Sequence, residues 1–209
     1  QARNYSEREL RDATVRLDVQ LTRGGGAQVD VTRFGSHGFR ILAHPQTGVV
    51  TAVRGATALG VVEEVYGFGE MWNGHVAQRG QAFDLWDKGG TPDECAYMPY
   101  YVSTANYAFF LNYGGRVHFD VGRNRADQIA YEAPAAVFDL TLVGGSSIPA
   151  AVENFLRPVG LPQRPPRWAF QPWFWLMADP NQPGAKIDTL KGEHFIEMVQ
   201  KLHELDIPI

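Results

Sequence analysis

The sequence predicts a mostly β protein, an antiparallel β-sandwich followed by the opening of a strand-helix-strand arrangement. Three observations carry that prediction. Short runs of alternating apolar and polar residues recur over roughly the first 145 residues. Glycine, proline, asparagine and aspartate separate those runs at short intervals, as turns between antiparallel strands require. Beyond Ser147 the apolar spacing changes from every second residue to the three-to-four spacing of a helix.

In order along the chain, TVRLDVQL from Thr14 puts Val15, Leu17, Val19 and Leu21 on one face and Arg16, Asp18 and Gln20 on the other. Gly24, Gly25 and Gly26 then turn the chain. The runs AQVDVTRF, GFRILAH, GVVTAVRG, ALGVVEEVYGFG, YAFFLNY, RVHFDVG and AAVFDLTL repeat the pattern and complete a sandwich of short strands. In SSIPAAVENFLRPVG, Ser147 can cap a short helix, Pro149 fits its first turn, and Val152, Phe155 and Leu156 form its apolar stripe.

The connector LPQRPPRW is stiffened by Pro162, Pro165 and Pro166 and marks a domain boundary. Residues 1–160 are expected to form the sandwich, and 161–209 the linker and first β-α unit of a second domain. AFQPWFWLM reads as a strand. EHFIEMVQKLHELDIPI places Phe195, Met198, Val199, Leu202 and Leu205 at helical spacing before an extended segment resumes at Ile207. Such an order opens a parallel sheet or a (β/α)8 barrel. One strand cannot bury both faces of a parallel sheet, so this domain is expected to continue past Ile209. Residues 168–209, standing without it, are expected to associate or to be cut readily by proteases.

Composition narrows the function classes. The 19 basic and 23 acidic residues give a net charge of −4 with no basic cluster, which argues against a nucleic-acid partner. No apolar stretch approaches the length of a membrane helix, so no membrane partner is expected. Cys95 is the only cysteine, which excludes an intrachain disulfide and leaves the cellular compartment open. The six histidines include no pair at i, i+4 spacing and no HExxH, so neither a metal nor another cofactor is expected. Gly67 and Gly69 in GFGE lack the third glycine and the helix of a dinucleotide loop.

YGFGE (66–70), RGQAFDLWDKGGTPDECAYMPYYVSTANYAFFLN (79–112) and VHFDVG follow one another in an order that resembles the N-terminal β-sandwich of glycoside hydrolase family 31. GLPQRPPRWAF (160–170) is similar to that family's entry into its catalytic barrel, and KLHELDIPI to its first barrel helix and second strand. The resemblance implies a galactose-mutarotase-like sandwich packed on a (β/α)8 barrel. It also implies α-glucosidase or α-xylosidase activity on α-linked glycosides by retaining double displacement, in which the two carboxyl groups lie about 5 Å apart. The family carries both aspartates on later barrel strands, so no catalytic residue is assigned to this chain. The implied partners are a carbohydrate substrate and the remainder of the barrel; homo-oligomerisation is left open. The rival reading is a non-catalytic carbohydrate-binding or domain-packing module.

The resemblance also implies where a sugar would be met. The sandwich loop LWDKGGTPDECAYM would wall the sugar site, with Trp86 stacking on a pyranose face and Asp87 accepting hydrogen bonds from hydroxyls. Trp173, Trp175 and Asp179 would follow at the carboxyl end of the first barrel strand. Each has a plainer alternative. Asp87 stands in a glycine-rich turn where aspartate serves the backbone, and at least one of Trp173 and Trp175 must face away from the barrel interior. Gln171 and Pro172 depart from the family pattern, and Pro172 would shorten or bulge that strand. Adjacent Asp93 and Glu94 point apart in extended chain and form no catalytic pair. Alternation in YMPYYVSTANY fits strand core better than a sugar platform.

Overall fold

In the computed structural model, residues 2–11, 14–21, 24–71, 73–86, 94–170 and 192–207 are described. They form β1 (Ala2–Arg11), β2 (Thr14–Leu21), β3 (Gly26–Phe34), β4 (Gly38–Thr47), β5 (Val53–Ala58), β6 (Val65–Met71), β7 (Gln81–Leu85), β8 (Glu94–Ser103), β9 (Tyr107–Leu111), β10 (Val117–Val121), β11 (Gln128–Ala133) and β12 (Phe138–Gly144). The described residues further form α1 (Ile148–Val159), a 3-10 turn at Arg167–Phe170, and α2 (Gly192–Glu204).

The strands make two antiparallel sheets. One has the order β1-β2-β3-β4-β12-β9-β8-β6 and the other β5-β11-β10-β7. Alternation in β10 and β11 turns Val117, Phe119, Val121, Ile129 and Tyr131 toward the larger sheet, which offers Phe68, Tyr101, Phe109 and Leu111 in return. The aromatic members interlock: Tyr101 stacks on Phe109 at 4.7 Å, and Phe68 meets Phe119 edge to face at 4.9 Å. The hydroxyls of Thr57 on β5 and Tyr101 on β8 hydrogen-bond across this core at 3.0 Å.

α1 covers part of the larger sheet. The side chain of Ser147 accepts from the amide of Ala150 at 3.3 Å, so it caps the helix as its position in the sequence predicts. Phe155 is then set among Phe34, Tyr100 and Phe110, with ring centroids 5.0 to 5.9 Å away.

Three sequence expectations change. GVVTAVRG and ALGVVEEVYGFG are not strands throughout, since residues 48–52 and 59–64 lie outside strands. Val61 and Val62 are about nine-tenths exposed in a turn pinned by Gly60 N–H donating to Glu63 Oε2 and by Arg79 donating to the carbonyls of Gly60 and Glu63. An apolar run carries no record of such pinning, so it reads as strand. Ala169 and Phe170 belong to the 3-10 turn instead of opening a strand, and the rest of AFQPWFWLM lies outside the described residues.

The chain divides into two compact units, Gln1–Leu161 and Pro162–Ile209. The sandwich and α1 form the first. In the second, α2 ends with Ile207 N–H donating to the Leu202 carbonyl and Asp206 in the left-handed region. Its Phe195, Ile196 and Leu205 are exposed.

Candidate functional site

β7 and β10 pair antiparallel, and their last pair is Leu85 with Val117. The chain therefore leaves β7 at Trp86 directly beside the loop that enters β10, residues 112–116. Trp86 is 44% exposed, so much of its indole remains uncovered. With Tyr113 and Gly115 on one side and Ala96, Tyr97 and Pro99 of β8 on the other, it lines a groove of about 360 Å³.

The walls of this groove are held from behind. Tyr113 donates its hydroxyl to the Pro134 carbonyl at 3.0 Å, which fixes the ring. Gly115 lies so close to that ring that a Cβ there would stand 2.5 Å from the hydroxyl oxygen. The loop is anchored further by Asn112, whose backbone N–H donates to the Asp139 carbonyl at 2.9 Å and whose amide donates to Asp139 Oδ2 at 2.8 Å. Tyr97 is half-buried, packed against the main core as well as lining the groove.

A charged cluster flanks the groove's entry strands. Arg116 donates to Asp84 Oδ2 at 2.5 Å, and His118 Nδ1 lies 3.1 Å from Asp84 Oδ1. The Arg116 guanidinium holds the Asp84 carboxyl below its ordinary value, so Asp84 is ionised at neutral pH. No group of three or more histidine, cysteine, aspartate or glutamate side chains suited to a metal ion occurs among the described residues.

An aromatic groove with a fixed tyrosine, a half-exposed indole and few charges suits a neutral ligand that has both an apolar face and hydroxyls. Of the residues singled out from sequence, Trp86 lines it. Asp87, Trp173, Trp175 and Asp179 lie outside the described residues. Tyr97 falls within LWDKGGTPDECAYM, the loop expected to wall the sugar site, though it was not named as a site residue; Tyr113 and Gly115 lie outside that loop, and their aromatic and glycine character was the only available sign. Within YMPYYVSTANY, Tyr101 is wholly buried as core, whereas Tyr97 serves core and groove together.

No family model matches this chain. It is 28% identical over 127 residues to "Alpha-xylosidase XylQ" of Lactiplantibacillus pentosus, a match covering 59% of this chain and 16% of the relative. It is 24% identical over 184 residues to an "Alpha-xylosidase" of Emericella nidulans, covering 80% of this chain and 24% of that one. Among solved structures, it superposes on a cycloalternan-forming enzyme from Listeria monocytogenes, in complex with a pentasaccharide substrate. The TM-score there is 0.69 at 14% identity, over 79% of this chain and 23% of that one. A GH31 family sulfoquinovosidase from E. rectale, in complex with an aza-sugar inhibitor, aligns with TM-score 0.57 at 16% identity, over 72% of this chain and 25% of that one. The chain is therefore similar to glycoside hydrolase family 31 enzymes. The family 31 resemblance and the antiparallel sandwich expected from sequence are both found. The chain spans only 16% and 24% of the length of these two curated relatives.

Proposed function

We propose that this chain is part of a retaining α-glycoside hydrolase of the α-glucosidase or α-xylosidase type, and that the groove beside Trp86 forms one wall of its sugar site. The observation that carries this is Trp86 itself: a half-exposed indole leading into residues 87–93, in a groove walled by Tyr97 and a hydroxyl-tethered Tyr113. The two curated relatives, both α-xylosidases by name, supply the substrate class.

In this reading Trp86 lies against a pyranose face, where its uncovered indole matches the axial C–H surface of the sugar. Asp87 accepts hydrogen bonds from sugar hydroxyls, and Trp173, Trp175 and Asp179 are the further residues this reading assigns to sugar binding. Residues 1–160 are the sandwich domain, and 161–209 lead into the catalytic barrel. The nucleophile and the acid/base, two carboxyl groups about 5 Å apart, are supplied by residues outside this chain. This chain alone is inactive, because it positions substrate without attacking it.

Two samples test the proposal, this polypeptide alone and the full-length protein, each with its mass checked by electrospray and each assayed on 4-nitrophenyl α-glucoside and α-xyloside. Turnover by the full-length protein and none by the 209-residue chain is expected. In the full-length protein Trp86→Ala should raise KM about tenfold with kcat little changed, as the loss of one stacking contact does. A full-length protein that binds these glycosides and never cleaves them would favour the binding-module reading.

A further inference from the structure

β6 has seven residues and β8 ten, yet the two strands pair from end to end. The surplus is taken up at two places. Between the pairs Gly67–Tyr101 and Gly69–Tyr97, β8 advances four residues against two on β6; between Gly69–Tyr97 and Glu70–Cys95 it advances two against one. Surplus residues on one strand bulge it and re-aim its side chains. Here the bulged stretch contains Ala96, Tyr97 and Pro99, which form one wall of the groove.

The strand opposite is built to hold that bulge. Gly67, Phe68 and Gly69 lie in succession at φ of 132°, 69° and 88°, and Ala96 faces them at φ 51°. A bulky residue such as phenylalanine stays in the left-handed region only where its surroundings over-determine it. Phe68 is wholly buried, with its ring 4.9 Å from Phe83 and 4.9 Å from Phe119. Its neighbours have no room for a side chain. A Cβ on Gly67 would stand 2.7 Å from the Tyr100 carbonyl oxygen and 2.9 Å from Tyr101 Cα, and one on Gly69 would stand 2.1 Å from the Ala96 carbonyl oxygen. Each obstacle is backbone of β8, which can yield only by moving outward.

We propose that Gly67 and Gly69 are positioning residues for the groove. The packed Phe68 anchors β6, and the two glycines let its backbone approach β8 so closely that Ala96, Tyr97 and Pro99 stand at the distance from Trp86 and Tyr113 that a pyranose ring requires. This rests on the reading of the groove as a sugar site.

The test compares four variants of the full-length protein on 4-nitrophenyl α-xyloside and α-glucoside: Trp86→Ala, Gly67→Ala, Gly69→Ala and Gly80→Ala. Gly80 has φ 79° and nothing within 4 Å of its would-be Cβ, so alanine there carries the backbone strain without pressing on β8. Gly67→Ala and Gly69→Ala should each raise KM about tenfold with kcat held within about twofold, while Gly80→Ala, of similar thermal stability, leaves KM unchanged. If Gly69→Ala fails to fold, Gly67→Ala, with the milder collision, decides the matter. Trp86→Ala raising KM while the β6 variants do not overturns the proposal and leaves the sugar site standing; so does an equal rise in Gly80→Ala. An unchanged KM in Trp86→Ala removes the sugar site and the proposal with it.

Discussion

Asp139 shows how one side chain joins parts of the sandwich that alternation alone leaves separate. It accepts from Arg40 Nε and Nη2 at 2.6 Å each and from the Asn112 amide at 2.8 Å, tying β4, β12 and the start of the groove loop together. Burial by itself would raise its pKa, but the hydrogen bonds from Arg40 and Asn112 outweigh burial and hold it below the ordinary 3.8. A carboxyl depressed in the folded state contributes stability that is fully present above its unfolded value and is lost as pH falls through the folded value. Urea midpoints should therefore decline between about pH 5 and pH 3, and Asp139→Asn should flatten that decline. At neutral pH the same substitution should cost about 2 kcal/mol, because Arg40 loses a paired charge while staying partly covered. A midpoint unchanged at pH 7 would sink the account.

Among the elements, α1 was legible from its cap and stripe, and its stability should answer to the cap. Ser147→Ala removes one acceptor from the first turn and should cost about 1 kcal/mol, measured as a drop in thermal midpoint of the sandwich unit. β2, β3, β4, β10 and β12 were legible for a different reason: their apolar residues alternate, and alternation survives whatever the partner strand is. β1 and β7 gave no such signal, and β11 was not read as a strand. ARNYSERELR is polar nearly throughout and makes an edge strand by pairing with β2, and QAFDL shows no clear apolar alternation, whereas QIAYEA does alternate, with Ile129, Tyr131 and Ala133 on the buried face. At Val61 and Val62 the error ran the other way, because a side-chain and backbone network from residues as distant as Arg79 turned an apolar run into a tip.

At the scale of the molecule, the two sheets hold together through one aromatic core. Phe119 is wholly buried between Phe68, Phe83, Phe109 and Tyr131, so Phe119→Ala should remove about 3–5 kcal/mol and unfold the sandwich in a single transition at lower denaturant. Loss of only local signal, with the rest of the β circular dichroism intact, would contradict a shared core. The amino-acid sequence by itself determined the β-sandwich class, the capped helix after it and the aromatic residue that leads into residues 87–93, since each depends on residues near one another along the chain. Only the tertiary structure decided the groove. Trp86, Tyr97 and Tyr113 come together because β7 pairs with β10 and β8 bulges against β6, and long-range pairing and backbone contact distances leave no periodic trace in the sequence.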